Sequence, residues 1–316
     1  MTVEKAVAFR NTNDQVLFGI LHIPDSRKLK SRIGINILNP GLKNRVAPNR
    51  INVKMARMFC EMGFYVLRFD PFGIGDSEGQ LPAHESVVDL WGMIQRGLFV
   101  PDTIVANGFF IREARLDKLI LIGQCGAAMT GMLVGGDDDR VDRLILVDIP
   151  VRLLSSQVDM SDILIEAIGP REMVANYLSK IFVLESWINL FKLKSDFAAV
   201  RKLLAKILKA PFKRKGRNVT EESNFSERFS RRFLDAFCRF LDRKGEICFL
   251  FAENDLALKE FQQDMERGFL EYHTHYQSQC KIDIISDANH IYTEEKWQAA
   301  LLHQMNSWLS RYLETC

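Results

Sequence analysis

The chain has 316 residues, 47% apolar and 26% charged, with a net charge of +2. These values suit one large α/β domain, or one domain carrying an insertion, and exclude a disordered or fibrous chain. So balanced a charge makes no electrostatic case for nucleic acid, and none is expected as a partner. The six cysteines (Cys60, Cys125, Cys238, Cys248, Cys280, Cys316) are scattered, several within apolar stretches, as in a reduced protein rather than a disulfide framework. Residues 1–10 carry no hydrophobic leader, and no apolar run reaches the ~18 residues of a membrane span, so a cytoplasmic location is expected.

Lys5 to Arg10 and Gln15 to Ile23 read as two strands of an edge hairpin, joined by the polar turn at residues 11–14. Arg32 to Leu38 is a third strand and runs into Asn39-Pro40-Gly41-Leu42. Pro48 opens a helix, and Phe64 to Asp70 is the next buried strand, followed by the glycine- and acid-rich loop 71–79. Glu85 to Leu98 reads as helix. Leu119 to Ile122 is an unbroken apolar run, as a strand covered on both faces requires. Small residues alternate with Met129, Met132 and Leu133 after it, the pattern of a helix lying close on a sheet. Further strands are predicted at Arg143 to Ile149, Glu246 to Ala252 and Cys280 to Ser286, with helices at about 256–270 and 294–313. The alternation implies a mostly parallel, doubly wound sheet with helices on both faces.

The 96 residues from Pro150 to Gly245 are too long for an ordinary connection and carry helical patterns. They are read as a helical lid inserted into a core of residues 1–149 and 246–316. Phe225, Phe229, Phe233 and Phe237 recur at i+4, a stripe that either packs the insertion on the core or lines an apolar channel. Between Trp187 and Arg217, ten basic residues face one acid. That segment, with Lys202, Lys206, Lys209, Lys213 and Arg214, is either a solvated outer face or a dock for an acyl carrier protein, coenzyme A or an anionic membrane surface.

Gly123-Gln124-Cys125-Gly126-Ala127 lies between the central strand and its helix, the context that makes a G-x-S-x-G match a nucleophile elbow. Cys replaces Ser at the nucleophile and Ala replaces the last Gly. A thiol nucleophile needs a neighbouring imidazole, and the imidazole needs a third group to fix its tautomer. Asp255 and His290 follow Cys125 in the chain order usual for such sheets, each just past a strand. Glu253 and Asp148 are the competing acids. Gly126 offers a backbone N–H to a developing oxyanion, and Leu42, in the loop opened by Gly41, offers a second. Gln124 and Arg45 are candidate substrate contacts. His273 and His275 have no further ligand signal, so no metal is expected, and no G-x-G-x-x-G in strand–helix context indicates a dinucleotide cofactor.

Six stretches, NPGLKNRVAPNR (39–50), FYVLRFDPFGIGDSEG (64–79), LILIGQCGAA (119–128), DIPVR (148–152), residues 187–204 and DANHIY (287–292), carry a family resemblance. The chain resembles α/β-hydrolases of the serine-aminopeptidase and monoacylglycerol-lipase-like branch, and more narrowly the hydrolases associated with bacterial exosortase systems. The resemblance implies an α/β-hydrolase fold with an inserted lid and a small acyl substrate. Its activity would be ester or thioester hydrolysis, or acyl transfer to an amine, alcohol or thiol, with Cys125, Asp255 and His290 as triad and Gly126 and Leu42 as oxyanion donors. A binding module with a silent site is the reading from a different class.

Overall fold

The computed structural model describes residues 2–29, 32–83, 86–154, 225–226 and 228–315. Eight strands form one sheet: β1 (Val3–Arg10), β2 (Val16–Ile23), β3 (Ile33–Ile37), β4 (Tyr65–Phe69), β5 (Lys118–Gln124), β6 (Val141–Val147), β7 (Glu246–Ala252) and β8 (Cys280–Ile285). Their order is β1-β2-β4-β3-β5-β6-β7-β8. β1 pairs antiparallel with β2, and β2 antiparallel with β4; the pairings from β4 onward are parallel. Every strand expected from the sequence is present, including the edge hairpin.

Among the described residues the α-helices are α1 (Ile51–Glu61), α2 (Val87–Gln95), α3 (Val100–Ala114), α4 (Gly126–Asp137), α5 (Arg231–Asp242), α6 (Leu256–Phe261) and α7 (Glu295–Thr315). α6 continues as a π-helical stretch, Gln262–Leu270. Ser86 caps α2, its side chain accepting from the Asp89 N–H at 3.2 Å, and Ser230 caps α5 in the same way. α3 was not expected. Its buried face mixes Ala106 and Phe110 with Asn107, which links Asn36 and Asp138 through its amide, so hydrophobic periodicity does not mark it.

The alternation of side chains across β5 divides the core. Ile120 and Ile122 join α1 and α7 on one face, while Leu119 and Leu121 point to clusters on the other. On that second face α4 and α5 cross closely because Gly136 lies against Ala236, where a Cβ would come within 2.7 Å. Phe233 and Phe237 of α5 are fully buried, and Phe237 packs on Phe249 of β7 with ring centroids 6.4 Å apart. The phenylalanine stripe is therefore core packing. Of the span 150–245 read as a lid, residues 150–154, 225–226 and 228–245 lie in this main unit. The remainder, with Lys202, Lys206, Lys209, Lys213 and Arg214, lies outside the described residues. Among the described residues no helix is long and apolar enough to cross a membrane.

Candidate active site

Cys125 stands between β5 and α4 at φ 56, ψ −122, a conformation a side-chain-bearing residue rarely adopts. Its backbone N–H donates to Val147 O at 2.9 Å, tying the turn to β6. The turn is tight enough that a Cβ on Gly123 would lie 2.3 Å from the Ala127 carbonyl oxygen. Glycine is required there, whereas Ala127 fits and is buried.

Asp255 and His290 come from the loops after β7 and β8, which are laced together. Glu253 N–H donates to Ile285 O at 3.1 Å, Asn254 N–H to Ala288 O at 3.0 Å, and the Glu253 carboxylate accepts from the Asp287 N–H at 2.8 Å. Glu253, the nearer competing acid, is thus used as a brace. The Asp255 carboxylate caps α6, with Oδ1 accepting from the Ala257 N–H at 3.2 Å, and its Oδ2 lies 2.5 Å from His290 Nδ1. Gln124, one residue before the elbow, donates its amide to His290 O at 2.6 Å. It tethers the histidine loop.

The Cys125 side chain also acts on the imidazole of His290. Burial works against the imidazolium, but the bonds and charges of Asp255 and Cys125 outweigh it and raise His290 to about 11. One imidazole edge is still open: the His290 side chain is 42% exposed.

Leu42 follows Gly41, which sits at φ 63 with its N–H turned to Asn39 O at 2.8 Å. The Asn39 amide spans the loop to Gly41 O at 2.6 Å and Lys43 O at 2.9 Å. Among the described residues, neither the Leu42 nor the Gly126 backbone N–H donates to any acceptor. The Trp91 ring of α2 braces both loops, since a Cβ on Gly41 or on Gly126 would lie 2.4 Å or 2.9 Å from it. Nothing in the sequence pattern singles out Trp91.

Arg45 does not face the site as a free cation. Its guanidinium is held by Asp70 and, at 2.6 Å, by Asp76, which makes it a strut between the loops 40–48 and 70–79. Asp148, the other competing acid, follows β6 and is fully buried beside Asp255 and His290, the three side chains having ligand atoms within 4.8 Å of one another. They suit a proton better than a metal ion, because the Asp255 oxygen nearest His290 already holds the imidazole N–H and burial raises Asp148 to about 8. The His273 ring stacks on Phe269 and the His275 ring lies tilted against Tyr276, both at 4.0 Å between ring centroids.

No protein-family model matches the chain, and no curated protein sequence matches it significantly. Its fold does match solved structures. An esterase of Pyrococcus furiosus, Pf2001, aligns with TM-score 0.57 at 13% identity over 98% of this chain and 91% of that one. XC6422 of Xanthomonas campestris, an α/β serine hydrolase without lid, aligns with TM-score 0.51 at 11% identity, covering 98% and 94%. The putative α/β-hydrolase ATU1826 of Agrobacterium tumefaciens aligns with TM-score 0.52 at 13% identity, covering 98% and 97%. Such likeness at so low an identity establishes architecture alone, and this chain has the α/β-hydrolase fold.

Proposed function

We propose that the protein is an acyl ester or thioester hydrolase that works through an acyl-thioester on Cys125. The observation that carries this reading is Cys125 at a strained turn, acting on a His290 that is bonded in turn to Asp255. The thiolate attacks the acyl carbonyl, forming the S–C bond, and the resulting oxyanion accepts from the Leu42 and Gly126 N–H groups. Collapse breaks the bond to the leaving alkoxide or thiolate, which takes its proton from His290. Acylation removes the thiolate charge that helped raise His290, so the imidazole is released to act as base. It takes a proton from water, the hydroxide attacks the thioester, and the S–C bond breaks to give the acid and restore the thiolate.

Cysteine at the nucleophile favours one other reading. A thioester passes readily to amines, alcohols and thiols, so transfer to such an acceptor competes with hydrolysis. The reaction is tested first at the thiol. Iodoacetamide alkylation of Cys125 should change by less than about threefold between pH 9 and pH 7, whereas an unpaired thiol slows about twenty-five-fold. A profile matching a free thiol, or one unaffected by His290→Ala, would sink the reading. Titrating an added amine during turnover then measures how the acyl group partitions between water and acceptor.

A further inference from the structure

Behind the Asp255–His290 pair lies a second carboxyl that the reaction above does not use. Asp148 leaves β6 in the left-handed region, at φ 48, and its N–H donates to Leu250 O at 2.9 Å. Oδ1 accepts from the Ala252 N–H at 2.7 Å. Ala252 O in turn accepts from the Asp255 N–H at 3.1 Å, so Asp148 is braced against the turn that carries Asp255. From the loop between β8 and α7, the buried Tyr292 lies against Asp148. Neither the Tyr292 hydroxyl nor Asp148 Oδ2 has a hydrogen-bond partner of ordinary geometry among the described residues.

Two carboxyls this close in an apolar surround do not both ionise near neutrality. Asp255 accepts from an imidazole and a backbone N–H. Asp148 has only the Ala252 N–H on Oδ1, so the proton stays with it. Burial, then the charge of Asp255, lifts Asp148 to about 8 against the opposing charge of His290 and the bond from Ala252. Those are the groups that face it: Asp255 from α6, His290 and Tyr292 from the β8–α7 loop, and the backbone of β7. Cys125 reaches it through His290.

We propose that Asp148 is a positioning residue for the reaction at Cys125, held as the neutral acid, bracing the Ala252–Asp255 turn and leaving one negative charge behind the imidazole. The role rests on the proposed reaction. When Asp148 ionises, the second charge holds the proton on His290 more tightly and repels Asp255, so the leaving group is protonated more slowly.

The test uses the full-length protein with Asp148→Asn and Asp148→Ala. Infrared spectra of wild type should contain a carboxylic-acid C=O band at pH 7 that fades as pH rises through about 8, and Asp148→Asn should lack it. Asp148→Ala should lower kcat about ten- to a hundredfold with a smaller change in KM, the scale of a misplaced catalytic group. Asp148→Asn, a neutral acceptor of the same shape, should rescue most of that loss and remove the fall in kcat above pH 8. A band that survives in Asp148→Asn, or an alkaline fall that persists there, overturns the role. A missing band with Cys125 still activated toward iodoacetamide overturns Asp148 alone. An unactivated Cys125 overturns the reaction and the positioning role with it.

Discussion

Cys125 is held in a backbone conformation that costs a residue with a side chain on the order of 1–3 kcal/mol. What that strain achieves is local: the thiol stands at the head of α4, against His290, with Gly126 N–H beside it. Asp255 has two duties, and they can be separated by substitution. Asp255→Asn keeps an oxygen to cap α6 but leaves His290 without its anion, so turnover should fall on the order of 10³-fold with little change in Tm. Asp255→Ala should lose the cap as well, about 1 kcal/mol, visible as a lower Tm. Equal Tm values for the two variants would show that the cap is not made. Asp148 gives a stability prediction of definite sign. Its folded-state pKa lies above the ordinary value of 3.8, so its contribution to stability is fully present below about pH 4 and is lost as pH rises through about 8. Asp148→Asn should therefore melt at a higher temperature than wild type at pH 8–9, and the gap should close toward pH 4. A gap that grows on acidification would mean that Asp148 is buried ionised.

At the scale of elements, the site depends on how closely helices approach the sheet and one another. The α4–α5 crossing is set by Gly136 on Ala236, so Gly136→Ala should destabilise by about 1–3 kcal/mol through overpacking. Phe237→Ala opens a cavity between α5 and β7 and should cost about 3–5 kcal/mol. Chemical denaturation measures both, and Cys125 alkylation at low denaturant should be unchanged, since neither residue touches the site. α2 is different, because its Trp91 ring lies on Gly41 and Gly126, in the two loops proposed to hold the oxyanion. Gly41→Ala combines a positive φ with a Cβ 2.4 Å from that ring. It should reduce kcat at least tenfold while leaving alkylation of Cys125 within a few-fold, because the change strikes Leu42 and not the thiol. Parallel losses in both readouts would mean that the loop supports the elbow instead.

For the whole molecule, the parts legible in the sequence are those written in short apolar runs. Each buried strand reads directly, and Cys125, Asp255 and His290 read as candidate site residues because each follows such a run in a loop at the sheet's carboxyl edge. α3 did not read, since its buried face carries Asn107 for a polar bridge and the periodicity breaks there. The phenylalanine stripe read as helical, with core packing and a channel lining both open, because i+4 spacing reports a face and not what the face meets. Gln124 and Arg45 read as candidate substrate contacts, yet one tethers His290 and the other joins Asp70 to Asp76. Trp91 and the Asp148–Tyr292 contact arise from segments far apart in sequence, and local patterns carry no record of such meetings. The central claim, that Cys125 carries an acyl group, is met most directly by intact-mass spectrometry after brief exposure to activated esters and acyl thioesters. Wild type should gain the mass of one acyl group and Cys125→Ala none, with the adduct decaying in water for a hydrolase or persisting until an amine or alcohol is added for a transferase. The same adduct on both proteins, or none on either across the acyl panel, would contradict the account.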